Sequence, residues 1–598
     1  MTRAVFVFSA AALLGACANI EKPATQPYVS VTQPPPKQEL RWSNGKMPKS
    51  FDPARAAAPP ETDVVRALFQ GLTEIDVKTM QAIPAAAEKW SSSDDRRTWT
   101  FQLRKDAKWS NGKHVIADDF VTAWQRLPAL ADKAAHRELF QNIVGFKTPT
   151  EPVVPNAAPD QRRATSTPAF PGEPPISQQI VAEHQTQPEQ KPETKSAAKP
   201  EEKKIGVEAV DDLTLKVTLE LPDEDLPKLV ADPVFRPVYG DGTEFDDDPL
   251  DEGVVTNGAF TVEDVAKDGV VLKRSDTYWN KAQVDLDRIR FVPKENAEAA
   301  LESYKKGEVD AVTNADFEPL ALKLLTPYED FRQTTHSALN LYEVNTKNAP
   351  FSDRRVREAL AISIDRDKLT DGELEGSTQP ATTFLPVGDE QRTRIGLDVA
   401  KAKDLLEKAG FPNGDGFPSI RLVINRNDTQ QRVARAVVRM WKQNLNLNAQ
   451  ITVKETGEMD AARSSGEFDL IRRGVVLPSV DELAGLGAIF GNIIKAEPKQ
   501  QSEPRQITTD AVAPGERSKR GGPFTPDTEE LKPEPAPEVI TEEDALYEFN
   551  AIPLYFPTSY SLVKPYVGGF ENNSIDVVNV EGVEIDNNWQ PNNVKPES

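Results

Sequence analysis

The stretch from Ile420 to Lys454 constrains the fold more than any other part of the chain. Ile420-Arg421-Leu422-Val423-Ile424 reads as a strand. Thr429 to Asn444 sets Val433, Val437 and Trp441 on one stripe, the four-residue recurrence of an amphipathic helix. Ile451-Thr452-Val453-Lys454 is the next strand. Two strands joined by a crossover helix run parallel, and the helix covers one face of their sheet. The expected fold class is therefore α/β, mixed with antiparallel α+β elements. Thr98-Trp99-Thr100-Phe101-Gln102-Leu103 supplies one such element, with Trp99, Phe101 and Leu103 on a single strand face. Ser110-Asn111-Gly112-Lys113 is a turn after it. Ala117-Asp118-Asp119 opens a helix carrying Phe120, Val121 and Trp124. Ser352-Asp353 caps another, on which Val356, Leu360 and Ile364 recur. Leu405, Leu406 and Ala409 lead into Gly410, a C-terminal cap, with Pro412 beyond it.

Two segments break this pattern. Residues 148–204 and 495–539 are runs of Pro, Gln, Glu, Lys and Ala with few large apolar side chains. Neither buries enough surface to offset the entropy of ordering it, so both are expected to be disordered insertions. A partner-binding tether is the other reading of such a charged, Pro-rich insertion.

The N-terminus bears on the compartment. Arg3 precedes an almost wholly apolar run from Ala4 to Leu14, then Leu14-Gly15-Ala16-Cys17. About eleven apolar residues are too few to span roughly 30 Å of hydrocarbon as a helix. They suit a signal peptide. Leu-Gly-Ala-Cys resembles a bacterial lipobox, in which Cys17 is lipidated and anchors the chain with no transmembrane helix. Residues 18–38 then read as a flexible stalk.

The formal net charge of −23 disfavours phosphate backbones, so no nucleic-acid partner is expected. One cysteine excludes an internal disulfide framework and a Cys-rich zinc site, and His114, His136, His184 and His336 show no metal-ligand spacing. There is no G-x-S-x-G, Walker-type loop, H-E-x-x-H or C-x-x-C. Gly485 to Gly491 has one spacer too many for a dinucleotide fingerprint and reads as small residues in a packed helix or turn. Binding is favoured over catalysis, and neither cofactor nor metal is expected.

An ordered set of motifs resembles the oligopeptide-binding branch of the bacterial extracellular solute-binding proteins. It begins with Ser50-Phe51-Asp52-Pro53-Ala54 and Leu68-Phe69-Gln70-Gly71-Leu72. The block Ala87-Glu88-Lys89-Trp90, Trp99 to Lys105, Trp109 to Lys113 and Ala117 to Phe120 follows in the family's order and spacing. Further matches are Asn257 to Phe260, Tyr278-Trp279-Asn280, Gly307 to Asp310, Asn345 to Leu360, Asp365-Arg366, Ala402 to Phe411, Ile552 to Phe556 and Leu562 to Phe570.

The resemblance implies a periplasmic-binding-protein-like two-lobed fold (type II) with an extra third domain. The corresponding expectations are 1–17 signal peptide and lipobox, 18–38 stalk, 39–68 first lobe, 69–147 extra domain, and 148–204 insertion. The chain then continues as 205–331 first lobe again, 332–494 second lobe, 495–539 insertion, and 540–598 first lobe. It implies a monomeric, non-enzymatic receptor that holds a short peptide between its lobes and passes it to the permease subunits of an ABC transporter. The location would be the periplasm or cell envelope, with the lipid on the outer membrane or the outer face of the inner membrane. A ligand's main chain would pair with Ala57-Ala58-Pro59 and with Gly474-Val475-Val476 as an added strand. Arg472 stands where some relatives hold a ligand carboxylate, a partner that suits a guanidinium fork.

Two departures matter. Pro478 stands where relatives place an Asp for the ligand's amine, leaving Asp481 or Glu482 as the nearby acids, and Pro59 has no N–H to donate. Pro478, a second lobe in which the low-complexity segment from about Lys495 replaces folded chain, and the two long insertions support the alternative, an envelope lipoprotein that has lost uptake and acts as an interaction or scaffold protein.

Overall fold

The structure, a computed structural model, describes residues 27–130, 133–146, 205–387, 391–477, 479–491 and 539–590. Cys17, Pro478, residues 148–204 and most of 495–539 lie outside the described residues.

The crossover unit forms as its pattern requires. Strands Ile420–Asn425 and Ala449–Lys454 pair in parallel, from Ile420 opposite Ala449 to Asn425 opposite Lys454. The helix between them, Asp428–Leu445, runs one residue further at each end than its periodicity indicated. The Asn427 side chain caps it by accepting the N–H of Gln430, and Asn446 closes it in the left-handed conformation. Val433, Val437 and Trp441 are fully buried. Each valine stabilises the packing by roughly 1.5–3 kcal/mol.

This unit is one end of a twelve-stranded sheet. From it the order runs through Leu470–Val476, Ala338–Val344, Ala551–Val563, Ala311–Val312, Glu39–Ser43, Arg288–Phe291 and Gly269–Arg274 to Phe260–Ala266. The thirteen-residue strand Ala551–Val563 joins the lobes. Its first part pairs with Ala338–Val344 and buries Ile552, Leu554 and Tyr555 in the second core. Its last part pairs with Phe331–Thr335 and buries Leu562 and Val563 against the first lobe. The break at 540 is thereby corrected: helix Glu542–Glu548 and half of this strand belong to the second lobe. The alternation of apolar residues runs on through Ile552 and Leu554, and nothing local marks where one core ends.

A separate four-stranded sheet orders Ala87–Ser92, Thr98–Leu103, Thr214–Thr218 and Val207–Asp211. Trp99, Phe101 and Leu103 are buried on one face, and helix Ala117–Gln125 packs there. Strand Thr98–Leu103 pairs with Thr214–Thr218 across the long insertion. Residues 207–218 therefore belong to the extra domain, which corrects the break at 205. The stalk is corrected too. Residues from Tyr28 onward dock on the first lobe, where the Val29 N–H donates to Asp330, Ser30 donates to the Lys305 carbonyl, and Tyr28 packs edge-on to Trp589. An aromatic and a valine give this polar segment its hold.

Among the described residues, no helix is long and apolar enough to cross a membrane.

Candidate functional site

Strand Leu470–Val476 is paired on one side along its whole length by Ala338–Val344. On the other side Ile420–Asn425 meets it only at Leu470 and Ile471. From Arg472 to Val476 that second edge has no strand partner among the described residues. The Leu477 N–H donates to the Ser337 carbonyl at 2.8 Å, and the register continues through Leu339 opposite Val475 and Leu341 opposite Arg473. Antiparallel pairing alternates sides residue by residue, so the N–H and C=O of Gly474 and Val476 point to the unpaired edge. Gly474 is exposed, Val476 is 62% exposed, and Val475 between them is buried.

Arg472 folds back beside this edge. A Cβ on Gly474 would meet the Arg472 guanidinium at 2.8 Å, so the glycine makes room for it. Arg472 Nη2 donates to Asn340 Oδ1, while its Nε is buried without a partner. Among the described residues no carboxylate lies within ion-pair distance of it. Burial pulls its pKa below the usual arginine value, partly opposed by Tyr555 and Tyr342. Gln430 Nε2 donates to the Tyr555 hydroxyl at 2.9 Å, and the buried Tyr342 hydroxyl has no partner. Among the described residues, the wall beside the open edge thus holds a cation with no anion.

Ala57 and Ala58 are exposed and lie on the first lobe. Their carbonyls are engaged: Ala57 O by His136 Nε2 at 2.8 Å, and Ala58 O by the Thr62 N–H at 3.2 Å. Pro59 O accepts from Asn314 Nδ2 at 3.3 Å. The segment offers two N–H donors, on Ala57 and Ala58, and none on Pro59. No hydrogen bond joins this segment to Gly474–Val476.

Asp481 requires a correction. It is 1% exposed, it caps helix Glu482–Phe490 by accepting the Ala484 N–H, and its other oxygen faces Asp223. It presents no free carboxylate to the edge. The cap occupies one oxygen, and burial keeps the other from an amine in the cleft.

The sequence reading missed Asn340, Gln430, Tyr342, Tyr555 and His136. The first four come from three separate elements, and each sits among apolar neighbours that read as core. The only local hint is Asn340 within Ala338-Leu339-Asn340-Leu341-Tyr342, a polar residue in an apolar strand. Among the described residues, no group of three or more His, Cys, Asp or Glu is placed to hold a metal ion.

Comparison with known proteins gives the same frame. Residues 81–495 match the family model "Bacterial extracellular solute-binding proteins, family 5 Middle". The chain is 29% identical over 550 residues to the periplasmic oligopeptide-binding protein OppA of Escherichia coli, covering 89% of this chain and 90% of that protein. It is 30% identical over 455 residues to the periplasmic murein peptide-binding protein MppA of the same organism, covering 73% and 74%. Among solved structures, the unliganded open form of the MppA murein tripeptide-binding protein superposes with a TM-score of 0.66 at 26% identity, covering 93% of this chain and 99% of that one. The Haemophilus influenzae OppA complex with RPPGFSPFR gives 0.52 at 24% identity, covering 92% and 100%. With the fold matched over 93% of the chain and the family model over residues 81–495, the chain belongs to the bacterial extracellular solute-binding proteins of family 5, which bind solutes and do not transform them.

Proposed function

We propose that this protein is an extracytoplasmic receptor that captures short peptides between its lobes and delivers them to an ABC-type permease. The observation that carries the reading is the edge from Arg472 to Val476, without a strand partner among the described residues, beside an Arg472 that bonds Asn340 but no carboxylate there. An extended peptide completes such an edge through its amides, whatever its side chains. A guanidinium beside the edge favours a ligand bearing a carboxylate. The N–H groups of Ala57 and Ala58 supply contacts from the other lobe. A ligand touching both lobes favours their closure by its differential affinity for the closed state. The better superposition on an open, unliganded relative than on a peptide complex supports reading this arrangement as open. Lipidation at Cys17, anchoring to the outer membrane or to the outer face of the inner membrane, and a monomeric state complete the proposal.

The test is calorimetry with di- to hexapeptides, together with mass spectrometry of small molecules released on denaturation. Peptide release and saturable heat are expected. Their joint absence overturns the reading and favours the second one, an envelope interaction lipoprotein that has lost uptake. One observation favours that second reading: Asp481, the first acid after the edge in sequence, is committed elsewhere.

A further inference from the structure

Asp223 and Asp481 come from different domains and meet in the interior. Asp223 follows strand Thr214–Thr218 of the four-stranded sheet, and Asp481 caps a helix of the second lobe. They are 4% and 1% exposed. Each commits one oxygen to backbone: Asp223 Oδ1 accepts the Asp225 N–H at 2.8 Å, and Asp481 Oδ1 accepts the Ala484 N–H. The Oδ2 of each is buried and finds no donor. The two side chains lie within hydrogen-bond reach of one another. Two carboxylates so placed do not both ionise, and one proton between them satisfies both orphaned oxygens.

Among the described residues, neither carboxylate has a cation within ion-pair distance. Lys228 pairs with Asp225 at 2.9 Å, and Asp225 adds negative charge of its own. Glu482 accepts the Glu542 N–H. The helix packs on the turn Arg137–Phe140, where Glu138 pairs with His136 and Arg137 is the other charge. Asp232 faces His136 and Arg66. Val480, next to Asp481, packs with Ile75, Met80 and Ala231, so the contact between the domains has an apolar part as well.

We propose that Asp223 and Asp481 share one proton and so form a pH-dependent latch between the extra domain and the second lobe. Below the ordinary carboxylate range the contact is fully protonated and holds. Burial raises Asp223 to about 6, and burial together with the Asp223 charge holds Asp481 well above the carboxylate range. The docked state therefore binds more protons than the separated one. Docking is favoured at low pH and weakens as pH rises above the ordinary carboxylate range, because the separated carboxyls lose both protons there, while the docked pair takes its first charge only at about 6 and keeps the shared proton beyond it. Asp223 alone, raised by about two pH units, contributes a roughly 100-fold change in the docking equilibrium. The latch is independent of what the cleft binds.

The experiment places two fluorophores, at Lys89→Cys in the four-stranded sheet and Lys442→Cys in the second lobe, both exposed positions. A Cys17→Ser background leaves these as the only thiols. Energy transfer in unliganded protein is followed from pH 4.5 to 8. Wild-type side chains at the pair should give falling transfer as pH rises. Asp481→Asn, which keeps the helix cap and supplies a permanent donor to Asp223, should give a flat profile, and Asp223→Asn should do the same from the other side. A flat wild-type profile, or Asn variants that titrate like the wild type, overturns the proposal.

Discussion

His136 Nε2 lies 2.8 Å from the carbonyl oxygen of Ala57, and its Nδ1 lies 3.2 Å from Glu138 Oε1. Both partners are acceptors, so the ring donates twice and is an imidazolium. Burial alone would lower its pKa, but the Glu138 hydrogen bond, the Asp232 charge and the Ala57 carbonyl raise it to about 9. A histidine raised in the folded state contributes stability that is present below about 6.5 and lost as pH rises through about 9. With a partly accessible ring, the contribution is about 1–2 kcal/mol. His136→Ala should lower the denaturation midpoint at pH 6 and flatten its decline between pH 7 and 10. Urea titrations at a series of pH values measure this. An unchanged midpoint at pH 6 counts against the clamp.

The open edge makes a sharper demand. The Val476 N–H points away from Ala338–Val344, so Val476→Pro removes a donor without breaking that ladder. Losing one main-chain hydrogen bond of about 1–1.5 kcal/mol weakens peptide binding roughly tenfold. Calorimetry should show that loss while thermal stability changes little.

Arg472 is expected to read a carboxylate. Replacement by methionine keeps length and removes the charge. Affinity for peptides with a free C-terminus should fall tenfold or more, roughly the strength of a charge-assisted hydrogen bond. Affinity for C-terminally amidated peptides should hold. Because the guanidinium is half-buried and lacks an anion, the same variant should be as stable as wild type or more so. Equal losses for both peptide classes would remove the carboxylate from the argument.

Asp63 predicts a pH dependence of stability. Burial raises it to about 7, against the hydrogen bond from Asn44 Nδ2 at 3.0 Å. A carboxyl raised in the folded state stabilises fully below its ordinary value near 4, and that contribution disappears as pH climbs through about 7. About three units correspond to roughly 4 kcal/mol. Thermal unfolding of wild type should therefore shift downward from pH 5 to 8, and Asp63→Asn should remove most of that slope. Parallel slopes would assign the dependence to other groups.

What local sequence determined here is the set of elements whose pattern repeats within a few residues. The crossover unit from Ile420 to Lys454 and the alternation of Trp99, Phe101 and Leu103 are set by periodicity, because burying one face requires it. Family resemblance extended this to Arg472, Gly474 and Val476, which lie in one strand. The tertiary structure alone decided the rest. The pairing of Thr98–Leu103 with Thr214–Thr218 spans the insertion, and Ala551–Val563 serves two cores; neither depends on local pattern. Arg472 bonds Asn340 from 132 positions away and feels Tyr555 from another strand, and Asp481 meets Asp223 across 258 positions. A side chain's propensities act over a turn or a strand, whereas an electrostatic partner is assigned only when packing brings distant segments into contact.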